Sequence, residues 1–319
     1  VNDSAPTSSL SLSISAVERD TGLSKDTLRV WERRYGFPSP GRDDIGERAY
    51  SLAQVEKLRV VKRLLDAGHR PGRIVPMDLS ALQVLSEQTV DHPARSLPAA
   101  MDPADLRAHM ALIRRHDPAA LRSTLNLMLA RVGVLRFVHE VVVPLNAAVG
   151  DAWLRGQLEI FEEHQFTETM QTVLRRAIGA IPPPADADIQ TIRPRVLLTT
   201  VPGEPHGMGL LLVEAVLALE GCCCISLGVQ TPLWDIALAA NAYQASIVGL
   251  SFTGCMSPNQ IADGLTELRA KLPPQVHLWA GGSAPVLHRR PIPGVTPFAS
   301  LEPMLGALQR WRETQMTTP

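Results

Sequence analysis

Apolar positions along the chain fall into three regimes. Between residues 13 and 78 they recur at helical spacing in short blocks cut by Gly and Pro. Between 103 and 181 helical spacing is almost continuous. From 195 onward, short unbroken apolar runs alternate with amphipathic ones, as strands buried on both faces alternate with covering helices. In the first regime, residues 13–21 and 25–35 predict two short helices. Gly22 ends the first as a residue that tolerates a left-handed turn. Ser24 caps the second, Asp26 sits in its first turn, and Gly36 with Pro38 and Pro40 ends it. Two short helices joined by a tight Gly turn make a helix-turn-helix. A polar turn and an extended segment over 41–50 follow, then a helix over 51–67 opened by Ser51, and a further short helix near Pro71.

Residues 79–102 are small and polar, with His92, Pro93 and Pro98, and read as a linker that includes a short helical piece. The second regime predicts helices over 103–116, 118–132, 134–155 and 159–181, hence a four-helix bundle over 103–182. Asp102 and Asp117 precede Pro103 and Pro118, an N-cap followed by Pro at the first helical position. Pro144 is placed to kink the third of these helices. Pro182–Pro184 and the ADAD that follows open a stiff linker over 183–193. In the third regime, strands are predicted at 195–201, 222–228, 246–252, 276–280 and 295–299, and helices at 208–219, 233–242, 258–271 and 301–314. Five such units over 194–319 predict a flavodoxin-like (Rossmann-like) parallel fold. The class is therefore multidomain, α and α/β, behind a polar tail at 1–11.

Composition adds little to this division. The 319 residues have a formal net charge of −1, so any pull toward nucleic acid must be local. No apolar run reaches about 18 residues, and the N-terminus shows no basic start or cleavable apolar core. The expectation is a cytoplasmic protein without a membrane partner. Four cysteines occur, three of them adjacent at Cys222, Cys223 and Cys224, with Cys255 apart. Neighbours in a strand point to alternate faces and no C-x-x-C spacing exists, so all four read as small buried hydrophobes in a reducing compartment.

Chemistry concentrates in the loop Val201–Gly209, VPGEPHGMG, between a predicted strand and a predicted helix. A strand-to-helix loop at the carboxyl edge of a parallel sheet is where open α/β folds place ligands, and His206 offers an imidazole there. Ser251 and the pair Gly281-Gly282 end two further strands on the same edge. In the helical region Trp153 is followed, after nine residues, by Glu163 and His164. Taken singly, the first reads as core and the last as a surface or capped residue. The second short helix presents Lys25, Thr27, Arg29, Arg33 and Arg34, groups suited to phosphates and base edges.

Three resemblances follow from these motifs. TLRVWERRYGFPSP, then GERAYS and a helix, resembles the winged helix-turn-helix DNA-binding domain of the MerR family over 12–78. The resemblance implies that Lys25, Thr27, Arg29 and Arg33 approach the major groove of double-stranded operator DNA, and that Arg42, Arg48 and Tyr50 of the wing contact its backbone. The set Glu204-Pro-His206 with Gly209, then Ser251, then Gly281-Gly282 resembles the cobalamin-binding domain of methionine synthase and its relatives. It implies His206 as lower axial ligand of cobalt, Glu204 orienting that imidazole, and Ser251 with the glycines receiving the displaced benzimidazole arm. Two positions depart from the commonest pattern: Glu204 stands for Asp, and Thr253 for Leu.

The order of domains resembles the light-dependent transcriptional repressors of the CarH/LitR kind. That resemblance implies adenosylcobalamin as cofactor, with Trp153 and Glu163 against its upper axial group and His164 free to take cobalt once the group has gone. It implies no enzymatic activity, and a homo-oligomer, dimer to tetramer, that binds its operator in the dark and is released by light. A regulator that has lost the cofactor or takes another tetrapyrrole such as a bilin, and a corrinoid methyl-transfer protein, are the competing readings.

Overall fold

The computed structural model describes residues 11–43, 46–90, 101–182 and 194–316. Residues 1–10 of the expected tail, 91–100 of the first linker and all of the second linker at 183–193 lie outside the described residues. The chain divides into two compact units, Val1–Ala94 with Asp151–Gln157, and Arg95–Gly150 with Leu158–Pro319.

The first unit holds β1 (Ser11–Ser13), α1 (Ile14–Thr21), α2 (Lys25–Tyr35), β2 (Gly41–Arg42), β3 (Arg48–Ser51), α3 (Leu52–Asp66), α4 (Pro71–Ile74) and α5 (Leu79–Val90). The expected punctuation is in place. The Ser24 side chain accepts from Thr27 N–H at 3.1 Å. Gly22 and Gly36 end α1 and α2 in the left-handed region at φ 71° and 69°. The wing is a three-stranded antiparallel sheet in the order β1-β3-β2. Its first strand has three residues, too few for an alternating pattern to show in the sequence. Val17, Leu28, Tyr50, Leu58, Val61, Leu64, Ile74 and Leu82 form one buried core. Here the expected linker is corrected. α5 packs on α3, and Leu82 and Leu85 are buried in this core, so the fold of the first unit continues past residue 78. Val84, exposed between those leucines, blurs the helical period that would have announced it.

The second unit opens with four helices: α6 (Pro103–Arg114), α7 (Pro118–Phe137), α8 (Val143–Leu154) and α9 (Ile160–Gly179). The Asp102 and Asp117 carboxylates accept from Ala104 and Ala120 N–H at 2.7 and 2.9 Å. Gly133, at φ 76°, breaks α7 where the sequence placed its boundary between helices. A π-helical turn over Val138–Val142 joins α7 to α8. It ends just before Pro144, whose ring would strike the carbonyl four residues back in a regular helix. Pro118–Leu154 is apolar enough by composition to cross a membrane. α7 packs against α6, α9 and the sheet domain's first helix through Leu121, Leu125 and Phe137, its buried residues. A second correction concerns α8. Its last turn, from Asp151, groups with the first unit rather than with the other helices.

The sheet domain follows as β4 (Arg195–Thr199), α10 (Met208–Leu219), β5 (Cys223–Gly228), α11 (Leu233–Ala242), β6 (Ile247–Phe252), α12 (Pro258–Lys271), β7 (His277–Gly282), α13 (Val286–Arg289), β8 (Val295–Phe298) and α14 (Leu301–Met316). All five strands are parallel, in the order β5-β4-β6-β7-β8. This is the flavodoxin-like order, whose topological switch point lies between β4 and β6. Leu197, Val248, Leu250 and Leu278 of the strands pack with Ile236, Ile261, Leu265 and Leu268 of the helices. Each such side chain contributes about 1.5–3 kcal/mol by leaving water. Cys222 is buried and its thiol is pushed up to about 11 by that burial; Cys224 is raised for the same reason. Both behave as the small hydrophobes the sequence suggests.

Candidate functional site

The loops leaving β4 and β6 diverge at the switch point and so leave a crevice between them. The β4 loop brings Glu204 and His206; the β6 loop brings Thr253 and Cys255. Glu204 is wholly buried, yet its carboxylate is fully partnered. His206 Nδ1–H donates to Oε1 at 2.7 Å and the His206 backbone N–H at 3.2 Å. Thr253 N–H donates to Oε2 at 2.6 Å, and the Thr253 hydroxyl reaches both oxygens at 2.9 and 3.1 Å. Burial opposes the charge, but the donors from His206 and Thr253 prevail and hold the carboxyl below its ordinary range. In turn the Cys255 side chain and the Glu204 carboxylate, against burial, hold the His206 imidazole up at about 10. The ring is half exposed. Nδ1 is committed to the carboxylate, so Nε2 is the nitrogen left for a metal, and the carboxylate raises its basicity.

Beside this cluster a cavity of about 160 Å³ runs between α10 and the strands, lined by Gly209, Val213, Ser251, Gly281, Gly282 and Met304 among others. Glycine is required twice along it. A Cβ at Gly209 would lie 2.6 Å from Ser251 Oγ, and one at Gly282, where φ is 113°, would lie 2.0 Å from the Phe252 carbonyl oxygen. β6 and β7 pair Ser251 with Gly281 and Phe252 with Gly282, which sets that crowding. The space kept open is mostly apolar, with the hydroxyls of Ser251 and Ser300 in its lining, which suits a ring carrying a hydrogen-bonding group. A histidine oriented by a carboxylate beside such a slot fits a corrinoid with a displaced arm.

In the first unit the basic residues separate into two sorts. Arg33 and Arg34 are exposed, and Arg34 lies over the Tyr35 ring at 5.4 Å. Arg29 pairs with Asp26 at 3.2 Å on the open face of α2, Lys25 with Glu18 at 3.7 Å, and Thr27 with the Ser24 hydroxyl at 2.8 Å. Arg42, exposed on the wing, donates to the Gly46 carbonyl at 2.8 Å. Two expected DNA contacts have other work. Arg48 donates to the Glu32 carboxylate at 2.8 Å and ties the wing to α2; that bond and charge hold its guanidinium above its ordinary value. Tyr50 is fully buried in the core, so its ring anchors β3 rather than meeting a phosphate.

Comparison with known proteins bears on both sites. A model of the MerR HTH family regulatory protein matches residues 12–77, and a B12 binding domain model matches residues 109–178. The HTH-type transcriptional repressor CarH of Myxococcus xanthus is 30% identical over 272 residues, 84% of this chain and 87% of that protein. The chain belongs to the CarH family. CarA, a second repressor of that organism, is 29% identical over 83% of this chain and 84% of its own length. Methionine synthase of Mycobacterium tuberculosis is 24% identical over 43% of this chain but only 11% of that enzyme. The likeness to repressors thus runs through the whole chain, while the likeness to an enzyme stops at the cobalamin-binding part.

For a CarH-family protein, the remaining expected set is Trp153, Glu163 and His164. Glu163 and His164 lie in the first turns of α9, which packs on α10. His164 is exposed and Glu163 half-buried, with His164 Nε2 3.7 Å from Glu163 Oε2, and Glu163 also accepts from the Thr167 hydroxyl at 2.7 Å. Trp153 is placed differently. It belongs to the first unit, where its ring lies 5.7 Å from the Arg63 guanidinium of α3. Sequence reasoning missed two residues. Thr253 reads in the sequence as a cofactor-binding position that departs from the family pattern, and its role as a principal donor to Glu204 does not show there. Cys255 was set aside as a buried hydrophobe, yet its Sγ lies 3.4 Å from Glu204 Oε2. The available signal was position: Thr-x-Cys directly after the strand that flanks the switch point.

Proposed function

We propose that this repressor reads adenosylcobalamin and responds to light. That it is a cobalamin-dependent transcriptional repressor follows from its family and its paired MerR and B12-binding regions. The observation behind the proposal is the Glu204–His206 pair at the switch point, with Nε2 uncommitted beside a cavity kept open by glycine.

When bound, the cofactor supplies a cobalt–carbon bond that visible light breaks. The chain's residues do the rest. His206 Nε2 would hold the cobalt, and Glu204, clamped by Thr253, would keep the imidazole in one tautomer and orientation. Ser251 would offer its hydroxyl to the cofactor's ring-bearing arm, and Gly209, Gly281 and Gly282 would leave that arm room. By the family resemblance Glu163 and Trp153 would be the residues that meet the group light removes, and His164 the one that would replace it. Lys25, Thr27, Arg29, Arg33 and Arg42 engage operator DNA. An assembly of two to four chains supplies avidity that one small winged domain lacks. The protein's own part in the switch would be a balance between two arrangements, one of which binds DNA.

The test is an absorption spectrum of full-length protein reconstituted with adenosylcobalamin, in the dark and after green light, with molecular size and operator binding measured on the same samples. The expected result is a spectral change accompanied by a smaller assembly and lost DNA binding. An unchanged spectrum removes the photoreceptor reading; a spectral change at constant size removes the assembly switch.

A further inference from the structure

We infer that the cofactor-free chain has a second use for the same cluster: Cys255 Sγ, His206 Nδ1 and Glu204 chelate a soft divalent ion of the zinc class, and an ion held there excludes cobalt from His206. The three donor atoms lie within 4.8 Å of one another. Sγ and Glu204 Oε2 are 3.4 Å apart. Tetrahedral zinc, with bonds of about 2.0–2.3 Å, sets its ligand atoms about 3.3–3.7 Å apart. One edge of the polyhedron is therefore already formed. Of the two that remain, the edge between Nδ1 and the carboxylate opens when the ion takes the place of the proton that Nδ1 now shares with Oε1 at 2.7 Å.

Preorganisation favours the site. Glu204 is wholly buried and held by three bonds from Thr253, so it brings little freedom to lose. His206 is half exposed and leaves an entry path, with room for water as fourth ligand. Thiolate with imidazole selects zinc-like ions over magnesium or calcium, which prefer all-oxygen sites. The thiol proton leaves to water as the ion binds, and the imidazole proton passes from Nδ1 to Nε2.

The exclusion follows from the ring's electron count. A neutral imidazole has one nitrogen lone pair and one N–H. With the ion on Nδ1, the proton sits on Nε2 and no lone pair faces cobalt. With cobalt on Nε2, the proton sits on Nδ1 against Glu204. The ion site stands without the cobalamin reading; the exclusion rests on it. Loading with cofactor would then depend on which metal reaches His206 first.

The experiment uses the full chain without cobalamin. Zinc binding is measured by equilibrium dialysis, and cadmium serves as an optical probe through its thiolate charge-transfer absorption. One equivalent of either ion is expected. Cys255→Ser should abolish the cadmium band and weaken zinc by more than about tenfold, the least that losing even an outer-sphere partner of a metal usually costs. Cys223→Ser should change neither. Absence of stoichiometric binding, or a band that survives Cys255→Ser, overturns the site. In the second arm, adenosylcobalamin uptake should fall in proportion to zinc occupancy, return with a chelator, and become insensitive to zinc in Cys255→Ser. Uptake by that variant also shows that it folds. Full uptake by zinc-saturated wild type overturns the exclusion. No uptake by zinc-free wild type would instead strike the proposed function, leaving the dialysis and cadmium results to decide the ion site.

Discussion

Gly209→Ala isolates one contact in the cofactor slot. The new Cβ would lie 2.6 Å from Ser251 Oγ but 3.6 Å from Ser251 Cβ, and ordinary contact begins at 3.4 Å. All of the overlap therefore falls on one hydroxyl. Overpacking of this kind costs about 1–3 kcal/mol. Gly209 is also the second residue of α10, where alanine gains up to about 1 kcal/mol over glycine. In the wild-type background the substitution should lower stability by about 0.5–2 kcal/mol. In a Ser251→Ala background the hydroxyl is gone, and the same substitution should be neutral or stabilising. The sign should change with the background, a coupling of about 1–3 kcal/mol. Urea unfolding of the four proteins at constant m-value reads it. Adenosylcobalamin retention should stay low in both Gly209→Ala proteins, because the methyl group still occupies the slot. An equal stability cost in both backgrounds would show that Ser251 does not sit over Gly209 and refute the packing argument.

Other perturbations follow from the same contacts. Thr253→Val removes the hydroxyl donor to a buried carboxylate but keeps the backbone N–H, and should cost about 1.5–3 kcal/mol in urea unfolding. Glu204→Gln should weaken cobalamin binding about 10- to 100-fold by equilibrium dialysis, since the imidazole loses its charged orienting partner. Arg33→Ala should weaken operator binding and reduce the slope of log K against log salt by about 1, whereas Arg34→Lys should leave the slope intact. Leu82→Ala should lower the stability of the DNA-reading unit by about 2–5 kcal/mol, a cost that a residue in a linker would not show.

What the sequence made legible was whatever local chemistry decides. Ser24, Gly22 and Gly36 bound their helices because caps and left-handed turns are settled within a few residues. The helix over 258–271 appears with those ends, opened by Ser257 and Gln260 bonding each other's backbone N–H. Partnerships across the fold were not legible. Arg48 finds Glu32 sixteen positions away, and pairing at that distance removes a basic residue from the DNA-facing count. Tyr50 points inward by the alternation of β3, a strand whose register depends on β1, which is too short to see in the sequence. His206, Ser251 and the glycines could be assigned by resemblance because a family pattern names them. Thr253 and Cys255 fall where this chain departs from that pattern or where the pattern says nothing, and only the strand order brings them to Glu204.

That strand order also explains why one buried carboxylate matters so much. The loops leaving β4 and β6 run to opposite sides of the sheet, so the chain itself does not hold them together. Glu204 does. Its Oε1 faces His206 and its Oε2 faces the Thr253 N–H and Cys255, with the Thr253 hydroxyl bridging both. The imidazole cannot swing without loosening the loop that leads into α12, and that loop cannot move without releasing the imidazole. A metal on either ring nitrogen is therefore felt first on the β6 side of the crevice. A chain with an acid too short to span Thr253 and His206 together would lose that coupling while keeping the ligand. Glu204 in place of the commoner Asp is thus suited to the longer reach that Thr253 requires.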